Sequence, residues 1–271
     1  MFRLGFIGGG QMAEALIRGM QENASELHLE YLLYDPALQR RKVFFDRYSV
    51  ESVKGNGEVM LNAAIVFLAV KPQMYPSIQE EIARYYKDGK ILVSIMAGVD
   101  LDTLGANLPA NAKIVRLMPN GAMAIGKGIC LYADNGNLTE SERTWILDLL
   151  STMGMVKEMP EGQINAAMSV ASCSPAVYYT ILDAMILGGI AVGLSKELSL
   201  ELAAQSMLGS AALLMEKKEH PAILRDQVLS PAGTTIEAVK VLEAAGVRSA
   251  LIDGVEQAYW RAEEMAKGGH K

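Results

Sequence analysis

Two clusters of residues in this chain have types and spacing that could do chemistry. The first is Gly8-Gly9-Gly10-Gln11-Met12-Ala13, directly behind the apolar-leaning run from Phe2 to Ile7. Gly8 permits a sharp turn, Gly10 lets the backbone approach a pyrophosphate, and Ala13 is small enough for a helix to pack closely on a strand. The amides of Gln11, Met12 and Ala13 at the start of that helix then face a dianion. Asp35 closes the next apolar run, at a distance from the glycines where a carboxylate can hold both ribose hydroxyls. A glycine turn by itself also fits a tight connection with no ligand, but strand, helix and acid together point to a dinucleotide. The second cluster is Ser230-Pro231-Ala232-Gly233-Thr234-Thr235. Ser230, the amides of Gly233 and Thr234, and Thr235 make a ring of donors without formal charge, suited to a small carboxylate. A capped turn between two helices would use the same residues.

The first cluster needs a sheet to hold it, and the pattern up to residue 160 supplies one. Helical spacing at 11–21, 38–48, 73–86 and 139–153 alternates with apolar runs at 29–34, 64–70, 91–94, 114–118 and 155–159, and 128–132 can pair beside the fourth of these. This rhythm predicts an α/β fold with a doubly wound parallel sheet. Ligands of such sheets sit beyond the carboxyl ends of the strands, so Ala69, Val70, Lys71 and Pro72 should border the cofactor. Ala97 and Gly98 would leave room for a nicotinamide ring, although Lys71 also fits a plain surface position. Asp35 favours NADH by repelling a 2′-phosphate, whereas Arg40 and Arg41 could accept one or could be solvated charges on the second helix. NADPH is the expected cofactor, with NADH open.

Beyond residue 160 the texture is helical to about 265, dividing the chain into a dinucleotide-binding part, 1–160, and a helical part, 161–271. Segments 175–194 and 196–217 are apolar on most of their circumference and need burial on all sides. One small helical domain has too little interior for both, so a homodimer with intertwined helices is expected. The 51% hydrophobic and 21% charged composition of the 271 residues excludes a disordered chain. The net charge of −6 comes without a basic cluster and gives nucleic acid no footprint. No apolar run reaches the length of a membrane span and no signal peptide is evident, so a cytoplasmic protein is expected. Cys130 and Cys173 lack metal-ligand spacing and read as small buried thiols, so no metal site is expected. His28, His220 and His270 read as surface residues.

Several segments together are more specific. Gly8 to Ala13, Phe67-Leu68-Ala69-Val70-Lys71-Pro72-Gln73, Ala97-Gly98-Val99, Met118-Pro119-Asn120 and the Ser230 to Thr235 stretch occur in the order and spacing of Δ1-pyrroline-5-carboxylate reductases. Leu202-Ala203-Ala204-Gln205, Glu219-His220-Pro221 and Val241-Leu242-Glu243 add to a resemblance that covers essentially the whole chain. It implies a Rossmann domain followed by a helical dimerisation domain, often assembled into decamers. The implied reaction is hydride transfer from NAD(P)H to the imine carbon of 1-pyrroline-5-carboxylate, giving L-proline in the last step of proline biosynthesis. By this resemblance Ser230, Gly233, Thr234 and Thr235 hold the substrate carboxylate, and the Thr235 hydroxyl also reaches the ring nitrogen as the catalytic contact. Glu161 and Gln227 fall near the substrate, Asn56 at the adenosine end of the cofactor, and Asn120 at a further cofactor contact.

Three departures stand out: Gly121-Ala122 after Asn120, the stretch from Ala171 to Val177, and Ala232 in place of a glycine. If that glycine supplies a positive φ, an alanine there costs on the order of 1 kcal/mol. The changed residues leave open a reductase of another cyclic imine or 2-oxo acid. A dinucleotide-binding regulator without turnover and a helical dimer without any ligand are the other readings.

Overall fold

The computed structural model describes residues 3–266; Met1, Phe2 and the last five residues, His270 among them, lie outside the described residues. Two compact units result, one running to Cys173 and resuming at Ala258, the other spanning Ser174–Gln257.

The first unit is built on β1 (Arg3–Ile7), α1 (Gln11–Asn23), β2 (Glu30–Tyr34), α2 (Leu38–Tyr48), β3 (Glu51–Ser52), α3 (Asn56–Asn62), β4 (Ile65–Leu68), α4 (Tyr75–Tyr85), β5 (Ile91–Ser94), α5 (Leu101–Gly105), β6 (Lys113–Pro119), β7 (Gly128–Asp134), α6 (Glu140–Ser151), β8 (Gly154–Glu158) and α7 (Ile164–Ala171). The strands form one sheet in the order β3-β2-β1-β4-β5-β6-β7-β8. Continuous apolar runs such as Ile65 to Leu68 become central strands because helices cover both faces. On one face Leu16, Ile17 and Met20 of α1 pack over Phe6 and Phe67, whose rings stack at 4.6 Å. On the other, Val59, Met60 and Ile82 cover Ile7, Leu68 and Leu92.

The sheet is parallel, as expected, except for one pairing near its edge. β3 to β6 pair in parallel, but β7 runs antiparallel to β6, and β8 follows β7. The connection from Pro119 to Gly128 holds a single 3-10 turn, Gly121–Ile125, and is too short for a crossover helix. Its side chain cap is Asn120, whose Oδ1 accepts from the Ala122 amide at 3.2 Å. α3, α5 and β3 are additions that the apolar spacing did not announce.

The division of the units falls at 173/174, whereas the sequence texture changes at 160/161. Residues 161–171 stay with the sheet because Ile164 and Met168 are buried in its second core. In the other unit, α8 (Ser174–Ala191), α9 (Lys196–Lys217), α10 (Pro221–Gln227), α11 (Thr234–Ala244) and the start of α12 (Val247–Ala266) follow one another. α8 and α9 approach closely where Gly189 meets Ser199; a Cβ at Gly189 would lie 2.5 Å from the Ser199 hydroxyl. Many of their apolar side chains, including Tyr179, Leu187, Leu202 and Leu208, are exposed. By length and composition alone, Glu161–Ala191 and Lys196–Lys217 reach the dimensions of a membrane span. Neither holds an uninterrupted apolar run of that length, because polar and charged residues such as Asp183 and Glu201 break it while the mean hydropathy stays high.

Candidate dinucleotide and substrate sites

Strand register brings the expected cofactor residues to one edge of the sheet. Ile7 stands level with Tyr34 and Leu68, and Leu68 with Ser94, so Gly8, Asp35, Ala69 and Ile95 all leave the carboxyl ends of neighbouring parallel strands. The strand order reverses between β1 and β4, which is where an open α/β sheet has its crevice. Gly8 has φ +102°, and a Cβ there would lie 2.6 Å from the Ala69 carbonyl oxygen. Gly9 is equally confined: its Cβ would meet Phe44 at 3.1 Å. A Cβ at Gly10 would lie 4.0 Å from the Ala69 carbonyl oxygen, and Gly10 caps α1 with no side-chain hydrogen bond, leaving the amides of Gln11, Met12 and Ala13 free for an anion. Ala13 is fully buried, as close packing of α1 on the sheet requires. A backbone cradle that a methyl group would fill, opening onto a bare helix start, fits a pyrophosphate.

The flanking residues are held by identifiable bonds. Asp35 accepts from the Gly9 amide through Oδ2 and from the Ala37 amide through Oδ1, both at 2.8 Å. Arg40 donates to the Gly9 carbonyl at 2.6 Å and to Glu14 at 2.8 Å. Glu14 also accepts from Tyr48 at 3.0 Å and from Arg47 at 3.3 Å. Burial pushes the Glu14 carboxyl up, but the hydrogen bonds from Arg40 and Tyr48 and the charges of both arginines outweigh it and leave the carboxyl below its ordinary range. Val70 is half-buried, exposed Lys71 precedes the 3-10 turn that Pro72 opens, and Ala97 and half-buried Gly98 follow β5. Gly98 has φ +73°, and a Cβ there would lie 3.0 Å from Met265 on the last turn of α12.

Two expected cofactor contacts are engaged locally. Asn56 is buried at the start of α3 and donates to Glu81 at 2.8 Å. Asn120 donates to the Ala171 carbonyl at 3.3 Å and accepts from Ile129 at 3.3 Å, besides capping its own turn.

Sequence reasoning missed Arg116, a cation in the middle of β6 with only 3% of its surface exposed. Its Nη1 donates to Glu161 at 3.0 Å and its Nη2 to Asn165 at 2.9 Å; Asn165 in turn donates to Glu263 at 2.9 Å. Glu161, expected beside the substrate, also accepts from the Leu101 amide at 2.7 Å through the same oxygen that holds Arg116. The network therefore ties the start of α5, just beyond the Ala97-Gly98 loop, to α7 and to the end of α12. An arginine inside an apolar strand was the available signal, since a buried charge demands partners.

The second cluster lies in the helical unit, on an exposed turn. The Gly233 amide donates to the Ser230 carbonyl at 3.0 Å and closes the bend. A Cβ at Gly233 would lie 2.2 Å from the Ser230 hydroxyl oxygen, so a glycine is needed for that hydroxyl to sit inside. Ala232 has φ +55°, the left-handed conformation expected of the position. α11 starts at Thr234 with no side-chain cap, so its first amides and the hydroxyls of Thr234 and Thr235 are available together. Gln227, at the end of α10, donates to Glu219 at 3.4 Å. His220 caps α10, its Nδ1 accepting from Ala222, and His28 stands at the end of a surface turn with φ +46°. Cys130 is fully buried and Cys173 half-buried.

Comparison with known proteins agrees with both halves. A family model described as pyrroline-5-carboxylate reductase dimerisation matches residues 161–265, and one described as NADP oxidoreductase, coenzyme F420-dependent, matches residues 3–98. The pyrroline-5-carboxylate reductase of Escherichia coli K12 is 32% identical over 265 residues, covering 98% of each chain. That of Synechocystis is 35% identical over 265 residues, again covering 98% of each. The crystal structure of the Plasmodium falciparum pyrroline carboxylate reductase with NADP bound superposes with a TM-score of 0.89 at 27% identity, covering 98% of both chains. Similarity of this extent, carrying the glycine cradle at one end and the hydroxyl turn at the other, makes the chain a member of the pyrroline-5-carboxylate reductase family.

Proposed function

We propose that this protein is a pyrroline-5-carboxylate reductase that reduces the imine of 1-pyrroline-5-carboxylate to L-proline, the last step of proline biosynthesis, in the cytoplasm. The full-length kinship with reductases of that name, in a chain that carries Ser230, Gly233, Thr234 and Thr235 on one turn, is the observation that carries the reading. NAD(P)H, when bound, supplies the hydride. Gly8, Gly10 and the amides of Gln11, Met12 and Ala13 hold its pyrophosphate. Asp35 and Asn56 take the adenosine end, and Ala69, Val70, Lys71, Pro72, Ala97, Gly98 and Asn120 border the rest.

The substrate carboxylate is received by Ser230, the Gly233 and Thr234 amides and Thr235, a set of neutral donors that leaves the anion no competing counter-ion. Thr235 hydrogen-bonds the ring nitrogen and orients the imine. A protonated imine is electrophilic enough that orientation is the chief requirement on the residues that hold the substrate. Water delivers protons, since a threonine hydroxyl is a weak acid. Glu161 and Gln227 remain substrate-side residues, Glu161 being positioned through Arg116.

Residues 1–160 are assigned to dinucleotide binding and 161–271 to dimerisation and substrate binding. The protein is a homodimer through the helical part, with a decamer as the higher assembly. An apolar groove of about 700 Å³ among Tyr178, Ile181, Met185, Met207, Leu214 and Leu224 supports a second copy as the cover of these helices. Steady-state assays with pyrroline-5-carboxylate and either nucleotide test the activity. Turnover of another cyclic imine or a 2-oxo acid, with none of pyrroline-5-carboxylate, would replace the substrate. Sedimentation velocity distinguishes monomer, dimer and decamer.

A further inference from the structure

We propose that this enzyme selects NADH over NADPH, with Asp35 as the discriminating residue and Glu14 as the residue that keeps Arg40 from reversing the choice. The inference rests on the dinucleotide site described above.

Asp35 follows the last residue of β2, at the edge where the adenosine ribose of a dinucleotide lies. Its carboxylate is pinned from two sides by the Gly9 and Ala37 amides, so it is not free to swing away from an incoming nucleotide. Free 2′- and 3′-hydroxyls are donors and match a carboxylate. A 2′-phosphate offers only anionic oxygens and meets a like charge.

A nearby arginine could compensate, and two are present in sequence. Arg40 is already spent: it bonds the Gly9 carbonyl and Glu14, and its guanidinium lies over the Phe44 ring at 5.3 Å from the centroid. Glu14 is the acceptor that holds it there, with Tyr48 and Arg47 reinforcing the carboxylate. Arg41 lies over Tyr34 at 5.8 Å and its Nε is buried, so only its Nη end could meet a phosphate. The carboxylate of Asp35 is therefore the charge that backbone amides fix at the ribose edge.

The test is calorimetric titration of the full-length protein with NADH and NADPH, and with adenosine 5′-monophosphate and adenosine 2′,5′-bisphosphate, without substrate. The proposal expects NADH to bind roughly ten- to a hundredfold more tightly than NADPH, and the adenosine pair to follow the same order. Asp35→Asn, which keeps an acceptor and removes the charge, should narrow the ratio to less than about threefold by strengthening NADPH. Glu14→Gln should strengthen NADPH alone, by about three- to tenfold, as Arg40 is released. Equal or tighter binding of NADPH by the unaltered protein overturns the proposal whatever the variants do. An unchanged ratio in a folded Asp35→Asn protein, judged by circular dichroism, overturns the role of Asp35. Failure of both nucleotides to bind would remove the dinucleotide site itself, and the preference with it.

Discussion

The glycine turn at residues 8–10 and the hydroxyl turn at 230–235 are both short bends ahead of a helix, yet their shapes are enforced by different means. At the first, the surroundings dictate the backbone: Gly8 is pressed against the Ala69 carbonyl and Gly9 against Phe44 and Asp35. At the second, the bend is exposed and held by its own atoms, through the Gly233 to Ser230 hydrogen bond, and it tolerates Ala232 in a left-handed conformation. A cradle for a pyrophosphate is made of backbone and depends on packing, so its residue types are dictated by space. A cup for a small acid is made of displayed donors, so only those donors and the one glycine beneath them are dictated.

The comparison yields a graded set of outcomes. Gly8→Ala should have the largest effect: the positive φ and the contact with Ala69 together cost roughly 2 to 4 kcal/mol of folding stability in urea titrations. A loss under about 0.5 kcal/mol would show that packing does not fix the turn. Thr235→Ala should leave stability and nucleotide binding alone while lowering kcat/KM by about ten- to a hundredfold, the worth of a hydrogen bond of about 1.5 to 3 kcal/mol. An unchanged value with pyrroline-5-carboxylate removes Thr235 from the mechanism.

A smaller effect follows from pH. Glu14, whose folded pKa lies below its ordinary 4.5, contributes stability that is present above that value and is lost as pH falls through the folded pKa. Urea midpoints measured from about pH 7 down to about pH 3 should fall at the acid end, and Glu14→Gln should flatten that limb. The uncharged donors of the hydroxyl turn have no such dependence, so a limb that survives Glu14→Gln unchanged would place the titration elsewhere. The smallest effect should come from Ala232→Gly. Relief of the left-handed alanine, less the added freedom of the unfolded chain, leaves a gain of about 0.5 kcal/mol. A loss on this substitution would mean that the turn absorbs the alanine without strain.

The same contrast explains what could be read from sequence. α2, β5 and α9 coincide with their expected ranges, because their apolar spacing and bounding residues are strong. α3, with the sequence Asn-Gly-Glu-Val-Met-Leu-Asn, is too short to show periodicity and is fixed by burial of Val59 and Met60. The reversal of β7 depends on the length of one connection rather than on the strand's own residues. The glycine cradle and the strained Ala232 were both legible, since each rests on a local rule about φ. The commitments of Asp35, Arg40 and Asn56 were not, because their partners lie between 25 and 31 residues away or across a turn. Arg116 is the extreme case, with contacts to Glu161 and Asn165 that are 45 and 49 residues distant.

That arginine also bears on how the polypeptide matures as it leaves the ribosome. The sixth strand carries a permanent charge into an apolar layer, and nothing made before residue 161 neutralises it through the bonds seen here. Synthesis proceeds from the amino end, so a nascent sheet would hold this guanidinium without its hydrogen-bond partners until Glu161 and Asn165 emerge, and Asn165 would await Glu263 for its own closure. The sheet unit thus receives its final lock from α12, 98 residues beyond Asn165.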